Sequence, residues 1–370
     1  MKKGKKLAAV MLAAISWTVC CAPTGFAQWV PSGPGPRDQH SAVFDAATNQ
    51  MIVFGGTDLG TINYNDVWVA LNVIGSCSPA CSLQWTFEAS TGLAPAARSG
   101  HSAVYDSTNS RMIVFGGAEG FPSPCTNDVW VLENANGVGG TPGWIELSPG
   151  GTLPPARTGQ AAVYDPVRNV MIVFGGSDCN GGYLSDVWVL SNANGLGSTP
   201  TWIQLTPVGS SPPARAYASA AFSSSSHKLV IYGGTDGDEL ADVWALSGID
   251  PVRKTCSWSH ELPSGTAPAG RYGAASGYDS TNDRMIINGG FSAQGILADT
   301  WVLQKATGAG GSPSWSTLSA ANSGSQVYFH SGVYDATHNE FVVFAGISER
   351  APSPQVADDH IFVLTDANGQ

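Results

Sequence analysis

Positive charge is what this chain has least of. Its 370 residues carry 17 Lys and Arg against 28 Asp and Glu, for a formal charge of -11. So few cations cannot hold a phosphate backbone through a general basic field, so nucleic acid is not an expected partner. Cysteine is sparse, and none of it forms C-x-x-C pairs beside histidines, which argues against a zinc site. No long apolar run follows Val19, so no membrane span is expected. The acids are scattered along the chain, a pattern that suits solubility outside the cell.

The first 27 residues read as a secretory leader. Lys2, Lys3, Lys5 and Lys6 form a basic start, Leu7 to Val19 an apolar run, and Gly25-Phe26-Ala27 a small-residue cleavage site after Ala27. Val19 before Cys20 is bulkier than lipoprotein processing accepts. Loss of the leader removes four lysines and no acids, so the charge falls from -11 to -15. The mature chain is expected to be secreted or periplasmic, soluble and monomeric.

Five cysteines then remain, and export permits disulfides. Cys77 and Cys81 flank Ser-Pro-Ala in one loop, where a bridge would pin the loop. Cys125 and Cys179 fall in equivalent loops of neighbouring repeats and could staple them. Cys256 is left as a buried thiol.

What the chain does have is one unit repeated six times. Glycine pairs begin at Gly55, Gly116, Gly175, Gly233 and Gly289, with Ala345-Gly346 as a degraded sixth, at intervals of 56 to 61 residues. A period of that size signals a propeller, solenoid or array. Each unit reads as four short strands, a to d. In the second, a runs near His101 to Tyr105, b from Met112 to Phe115, c from Val129 to Leu132, and d around Trp144. The Gly-Gly pair is expected to end strand b. Asp and Asn mark the a–b turns. The glycine-rich c–d loops read as flexible surface connections.

One four-stranded sheet cannot bury two apolar faces, whereas sheets set radially pack on one another. Two aromatic series mark that packing. Trp68, Trp130, Trp188, Trp244, Trp301 and Phe362 lie on strand c, and Trp85, Trp144, Trp202, Trp258 and Trp315 on strand d. The missing strand-d residue is Trp29, so the N-terminal segment is expected to lie beside Ile361 to Leu364 and close the last sheet.

The glycine pair, the strand-c aromatic and the later tryptophan, recurring at blade spacing, resemble kelch repeats. The resemblance implies an all-β fold over residues 28–370: a six-bladed kelch β-propeller with four antiparallel strands per blade.

Five repeats open with an arginine: Arg37, Arg98, Arg157, Arg215 and Arg271. An arginine ring around a channel suits carboxylate or phosphate ligands. The same repeats carry Asp66, Asp128, Asp186, Asp242 and Asp299 before strand c, and in the sixth unit Val327 and His360 stand in for both partners. That joint loss favours Arg–Asp pairs tying strand a to strand c. His40, His101 and His330 share a repeat position, but sixfold geometry spreads them around the axis, and no metal or other cofactor is expected.

The b–c loops vary most between units, and variable loops on a rigid scaffold are where binding resides. Asp58, Glu119, Asp178, Asp238 and Glu239 lie in them, and with the five arginines they form the candidate ligand-binding set. No catalytic residue is assigned. The expected role is a binding scaffold for a protein or glycan on the b–c and d–a loop face. Within the resemblance, a sialate-epimerase-like sugar enzyme is the alternative. Copper-radical oxidation is disfavoured, because no matching set of Tyr, His and Cys is present.

Overall fold

The computed structural model describes residues 33–75, 84–120, 124–318, 326–349 and 355–369. These form strands and turns, with no helix among them. The first blade holds β1 (Ser41–Asp45), β2 (Gln50–Phe54), β3 (Val67–Leu71) and β4 (Gln84–Phe87). The second holds β5 (Ser102–Asp106), β6 (Arg111–Ala118), β7 (Cys125–Glu133) and β8 (Gly143–Leu147). The third holds β9 (Ala161–Asp165), β10 (Val170–Ser177), β11 (Tyr183–Ser191) and β12 (Thr201–Val208). The fourth holds β13 (Ser219–Ser223), β14 (Lys228–Tyr232), β15 (Val243–Asp250) and β16 (Thr255–Glu261). The fifth holds β17 (Ala275–Asp279), β18 (Arg284–Asn288), β19 (Thr300–Gln304) and β20 (Ser314–Leu318). The sixth shows β21 (Ser331–Asp335), β22 (Glu340–Glu349) and β23 (Gln355–Thr365). Each blade is an antiparallel meander, and the inner strands β1, β5, β9, β13, β17 and β21 each meet the next, with β21 returning to β1. The fold is a closed six-bladed β-propeller. Trp29, expected on the fourth strand of the last blade, and the leader lie outside the described residues.

Closure is visible at the axis. The N–H of Gln39 donates to the carbonyl of Phe329, Gly100 to Gln39, Gly159 to Gly100, Tyr217 to Gly159, Gly273 to Tyr217 and Phe329 to Gly273, at 2.7 to 3.1 Å. Six peptide groups, one per blade, thus make a continuous hydrogen-bonded ring. All six residues have φ between 51° and 64°, a left-handed backbone that glycine adopts freely and bulky residues rarely do.

The b strands carry an apolar run at their centre because both faces are covered there: Met112, Ile113, Val114 and Phe115 are fully buried. Each strand-d tryptophan packs on a strand-b ring of the preceding blade: Trp144 on Phe54, Trp202 on Phe115, Trp258 on Phe174 and Trp315 on Tyr232, at 4.9 to 5.1 Å. Trp85 closes the series on Phe344 of the sixth blade at 5.0 Å. Such aromatic contacts stabilise by about 1 kcal/mol each beyond the area they bury.

Two expectations need correction. The Gly-Gly pair does not end strand b in blades two, three and six. There β6, β10 and β22 run on through a register shift at Phe115/Gly117, Phe174/Gly176 and Phe344/Gly346. The glycines form a bulge that re-aims the strand. The c–d loops are also not wholly free connections. Asn136 Nδ2 donates to Asp45 at 2.7 Å, Asn194 to Asp106 at 2.8 Å and Asn368 to Asp279 at 2.8 Å, each clasping the a–b turn of the preceding blade.

Candidate functional site

The b–c and d–a loops emerge together at the end where the peptide ring lies. The arginines sit beneath them, inside the blades. Each guanidinium makes a two-pronged contact with its aspartate: Arg37–Asp66, Arg98–Asp128, Arg157–Asp186, Arg215–Asp242 and Arg271–Asp299, closest approaches 2.5 to 2.8 Å. Nη1 also donates to the first carbonyl of the glycine pair at 2.9 to 3.0 Å, and Nε to the carbonyl two residues earlier. The arginine side chains are at most 1% exposed. The strand-c indole completes the unit, Trp130 Nε1 donating to Asp128 at 2.6 Å and its four counterparts likewise. Burial by itself would push these carboxyls up. The arginine bonds, its charge and the indole N–H outweigh it and hold Asp128, Asp186, Asp242 and Asp299 below the usual carboxylate range.

The three histidines do not converge. His40 Nε2 meets Ser331 Oγ at 2.7 Å, His101 Nε2 meets Ser41 Oγ at 2.9 Å, and His330 Nε2 lies 3.4 Å from the Ala275 amide, each on a neighbouring blade. Gln160 does the same work in the third blade, its Nε2 donating to Ser102 Oγ and the Phe115 carbonyl. Burial pushes His101 and His330 down to about 3 and His40 well below its ordinary value, so all three are neutral at pH 7.

A cavity of about 160 Å³ lies on the axis, lined by two successive residues from every blade, among them Gln39, His40, Tyr217, Gly273, Phe329 and His330. The rings of Tyr217 and Phe329 meet at a tilt with centroids 4.7 Å apart, and Tyr272 joins them at 6.5 and 5.8 Å. Phe291 and Tyr328 extend the cluster. The rings of Tyr217 and Phe329 lie over Gly159 and Gly273, where a Cβ would come within 2.7 Å of them. Asp38, buried beside this mouth, accepts from the Leu59 amide at 3.0 Å and from Gln39 Nε2 at 3.2 Å. Burial, reinforced by the charge of Asp58, raises it to about 6.

The loop acids surround this mouth without converging. Asp178 accepts from the amides of Asn180 and Gly182, which hold it below the usual range, and Glu119 comes within 3.8 Å of Arg98. Asp58 and Glu239 are half-buried and Asp238 is exposed. Cys125 and Cys179 are joined, with Cα atoms 5.7 Å apart, tying β7 to the b–c loop of the third blade. Cys77 and Cys81 lie outside the described residues. Cys256 is a free buried thiol, pushed up to about 11 by burial.

Sequence reasoning passed over Asp38 and the aromatic cluster. The signal lay in the two positions after each repeat arginine, which read Asp-Gln, Ser-Gly, Thr-Gly, Ala-Tyr and Tyr-Gly, with Tyr-Phe after Val327.

A family model described as the KLHDC2/KLHL20/DRC7 Kelch-repeats domain matches residues 25–136 and 80–251. The chain belongs to the kelch-repeat family. This kelch protein is 28% identical to human host cell factor 1 over 275 residues, 70% of this chain but 12% of that protein. Host cell factor of Drosophila melanogaster is 27% identical over 279 residues, 70% of this chain and 17% of that one. Rho GTPase-activating protein gacHH of Dictyostelium discoideum is 32% identical over 152 residues, 40% of this chain and 9% of that one. The kelch chain therefore spans a small part of these curated relatives. The solved structure of YjhT shares the fold, with a TM-score of 0.60 at 16% identity over 91% of this chain and 99% of that one.

Proposed function

We propose that this kelch propeller is exported and works as a binding scaffold, taking a protein or glycan partner on the face that carries the b–c and d–a loops. One observation carries the reading: the division of labour among side chains at that face. The five arginines are engaged within their blades and serve the fold. The half-buried rings of Tyr217, Tyr272, Phe291 and Phe329 stand at the axial mouth instead, ringed by the acids of the variable loops. The basic and apolar leader and the Cys125–Cys179 bridge support export.

The mature protein applied to a glycan array, and used in proximity labelling at the surface of the producing cell, tests this. A partner whose retention is lost on Tyr272→Ala and Phe291→Ala supports the reading. A partner that tolerates both changes and is lost instead on altering the a–b turns, for example Val167→Asp, overturns it.

A further inference from the structure

Among the described residues, the cations outside the Arg–Asp ties keep to one face. Arg111, Arg168, Lys228, Arg253, Lys254, Arg284 and Lys305 all lie in or beside a–b turns and c–d loops. With the five paired arginines, these are all the Lys and Arg among the described residues. The opposite face, around the axial cavity, carries Asp38 and the b–c loop acids, Asp58, Glu119, Asp178, Asp236, Asp238, Glu239 and Glu349 among them. Three of these are electrostatically coupled to the rings: Asp38 acts on Tyr217 and Tyr328, Glu239 on Tyr272, and Glu349 on Tyr328.

The cavity lining adds an independent sign. His40, His101, Gln160 and His330 line it and are each 7% exposed. One polar atom on each lacks a hydrogen-bond partner: Nδ1 of the three histidines and Oε1 of Gln160. Gln160 donates through Nε2 to the Phe115 carbonyl, which leaves its Oε1 as a free acceptor. His330 Nε2 accepts from the Ala275 amide, so its ring proton sits on Nδ1 and that atom is a donor. The lining thus keeps polar atoms, the acceptor Oε1 of Gln160 among them, without a partner in the protein. Tyr217 and Phe329, moreover, are bulky residues kept in a left-handed backbone where blades two, three and five use glycine. Strain of that kind, retained at a cavity mouth, points to a use for the rings.

Aromatic faces and carboxylates together select a positive group. We infer that the axial mouth recognises the cationic side chain, arginine or lysine, of a basic segment in a protein partner. This rests on the binding-scaffold reading and gives it a ligand chemistry. The guanidinium or ammonium group seats against Tyr217, Tyr272 and Phe329, with Asp38 and Glu239 alongside.

The test uses acetyl-tetra-arginine amide as probe, titrated calorimetrically into the mature protein at 50 and 500 mM salt. The Tyr217→Gly/Phe329→Gly double variant is compared with the parent. Glycine is native at the equivalent positions of three blades, so the variant keeps the fold, and circular dichroism checks this. The expected result is binding that weakens with salt and falls at least tenfold in the double variant. Glu239→Gln should weaken it severalfold, and the control Glu146→Gln on β8 should leave it unchanged. Equal affinity in parent and double variant means general attraction to an acidic protein, and overturns the inference. So does an absence of tetra-arginine binding. If a neutral glycan then proves to need the same rings, the scaffold reading stands while the cationic ligand does not.

Discussion

The Tyr217 hydroxyl donates to Gln39 Oε1 at 3.2 Å, joining the fourth blade to the first, opposite it across the propeller axis. Gln39 passes the link on through Nε2 to Asp38. Tyr217→Phe removes the hydroxyl and keeps the ring contact with Phe329. We expect a loss of about 1 kcal/mol in urea unfolding, the net worth of one such bond, with unchanged near-ultraviolet circular dichroism.

The arginine–aspartate ties should show the asymmetry of buried ion pairs. Asp186→Asn leaves the Arg157 guanidinium buried and uncompensated, and we expect a cost of about 3–5 kcal/mol. Removing both partners should cost less than the sum of the single changes. The sixth blade does without the pair, with Val327 fully buried in the arginine position. A double-mutant cycle with Arg157→Val and Asp186→Asn, measured by chemical denaturation, checks this.

Acid should destabilise the propeller through its buried histidines. Their folded values lie below the ordinary 6.5, so below that pH the unfolded chain takes up protons first. The stabilisation is complete above about pH 6.5 and is lost toward pH 3, at about 1.4 kcal/mol per pH unit for each fully titrating histidine. His40→Gln/His101→Gln/His330→Gln, which copies Gln160, should flatten this limb of the stability–pH curve.

Asp38 should act with the opposite sign. Its folded value of about 6 exceeds the ordinary 3.8, so its contribution is complete below pH 3.8 and is lost as pH rises through 6. Asp38→Asn retains an acceptor for the Leu59 amide. It should raise stability at pH 7 relative to pH 4 when both proteins are unfolded in urea at the two pH values.

The Cys125–Cys179 bridge closes 54 residues and joins two blades. On the chain-entropy model it contributes about 4 kcal/mol. Cys125→Ser/Cys179→Ser should lower the calorimetric Tm by several degrees and leave the circular dichroism spectrum unchanged.

Much of the fold was legible because each blade states it again. One Trp130-like residue is ambiguous, but a strand-c and a strand-d aromatic in successive units fix strand order and spacing. The Arg–Asp ties were legible because the sixth repeat loses both partners together. The bulge after Phe115 was hidden because a Gly-Gly pair can end a strand or bend it, and only the register of Gly117 with Thr126 decides. The clasps made by Asn136 and Asn194 were hidden inside loops whose glycines read as freedom. The aromatic mouth escaped because Tyr217, Tyr272 and Phe329 come from three units and meet only when the ring closes. A search for what the repeats share passes over what they do not.

The most direct measurement is partner affinity set beside thermal stability for two proteins, the Tyr217→Gly/Phe329→Gly variant and Arg157→Lys. Arginine as fold and aromatic mouth as recognition predict a lowered Tm with near-parental affinity for Arg157→Lys, and lost affinity in a variant that still folds for the glycine pair. Lost affinity in Arg157→Lys at unchanged Tm, with the glycine pair binding normally, would contradict it.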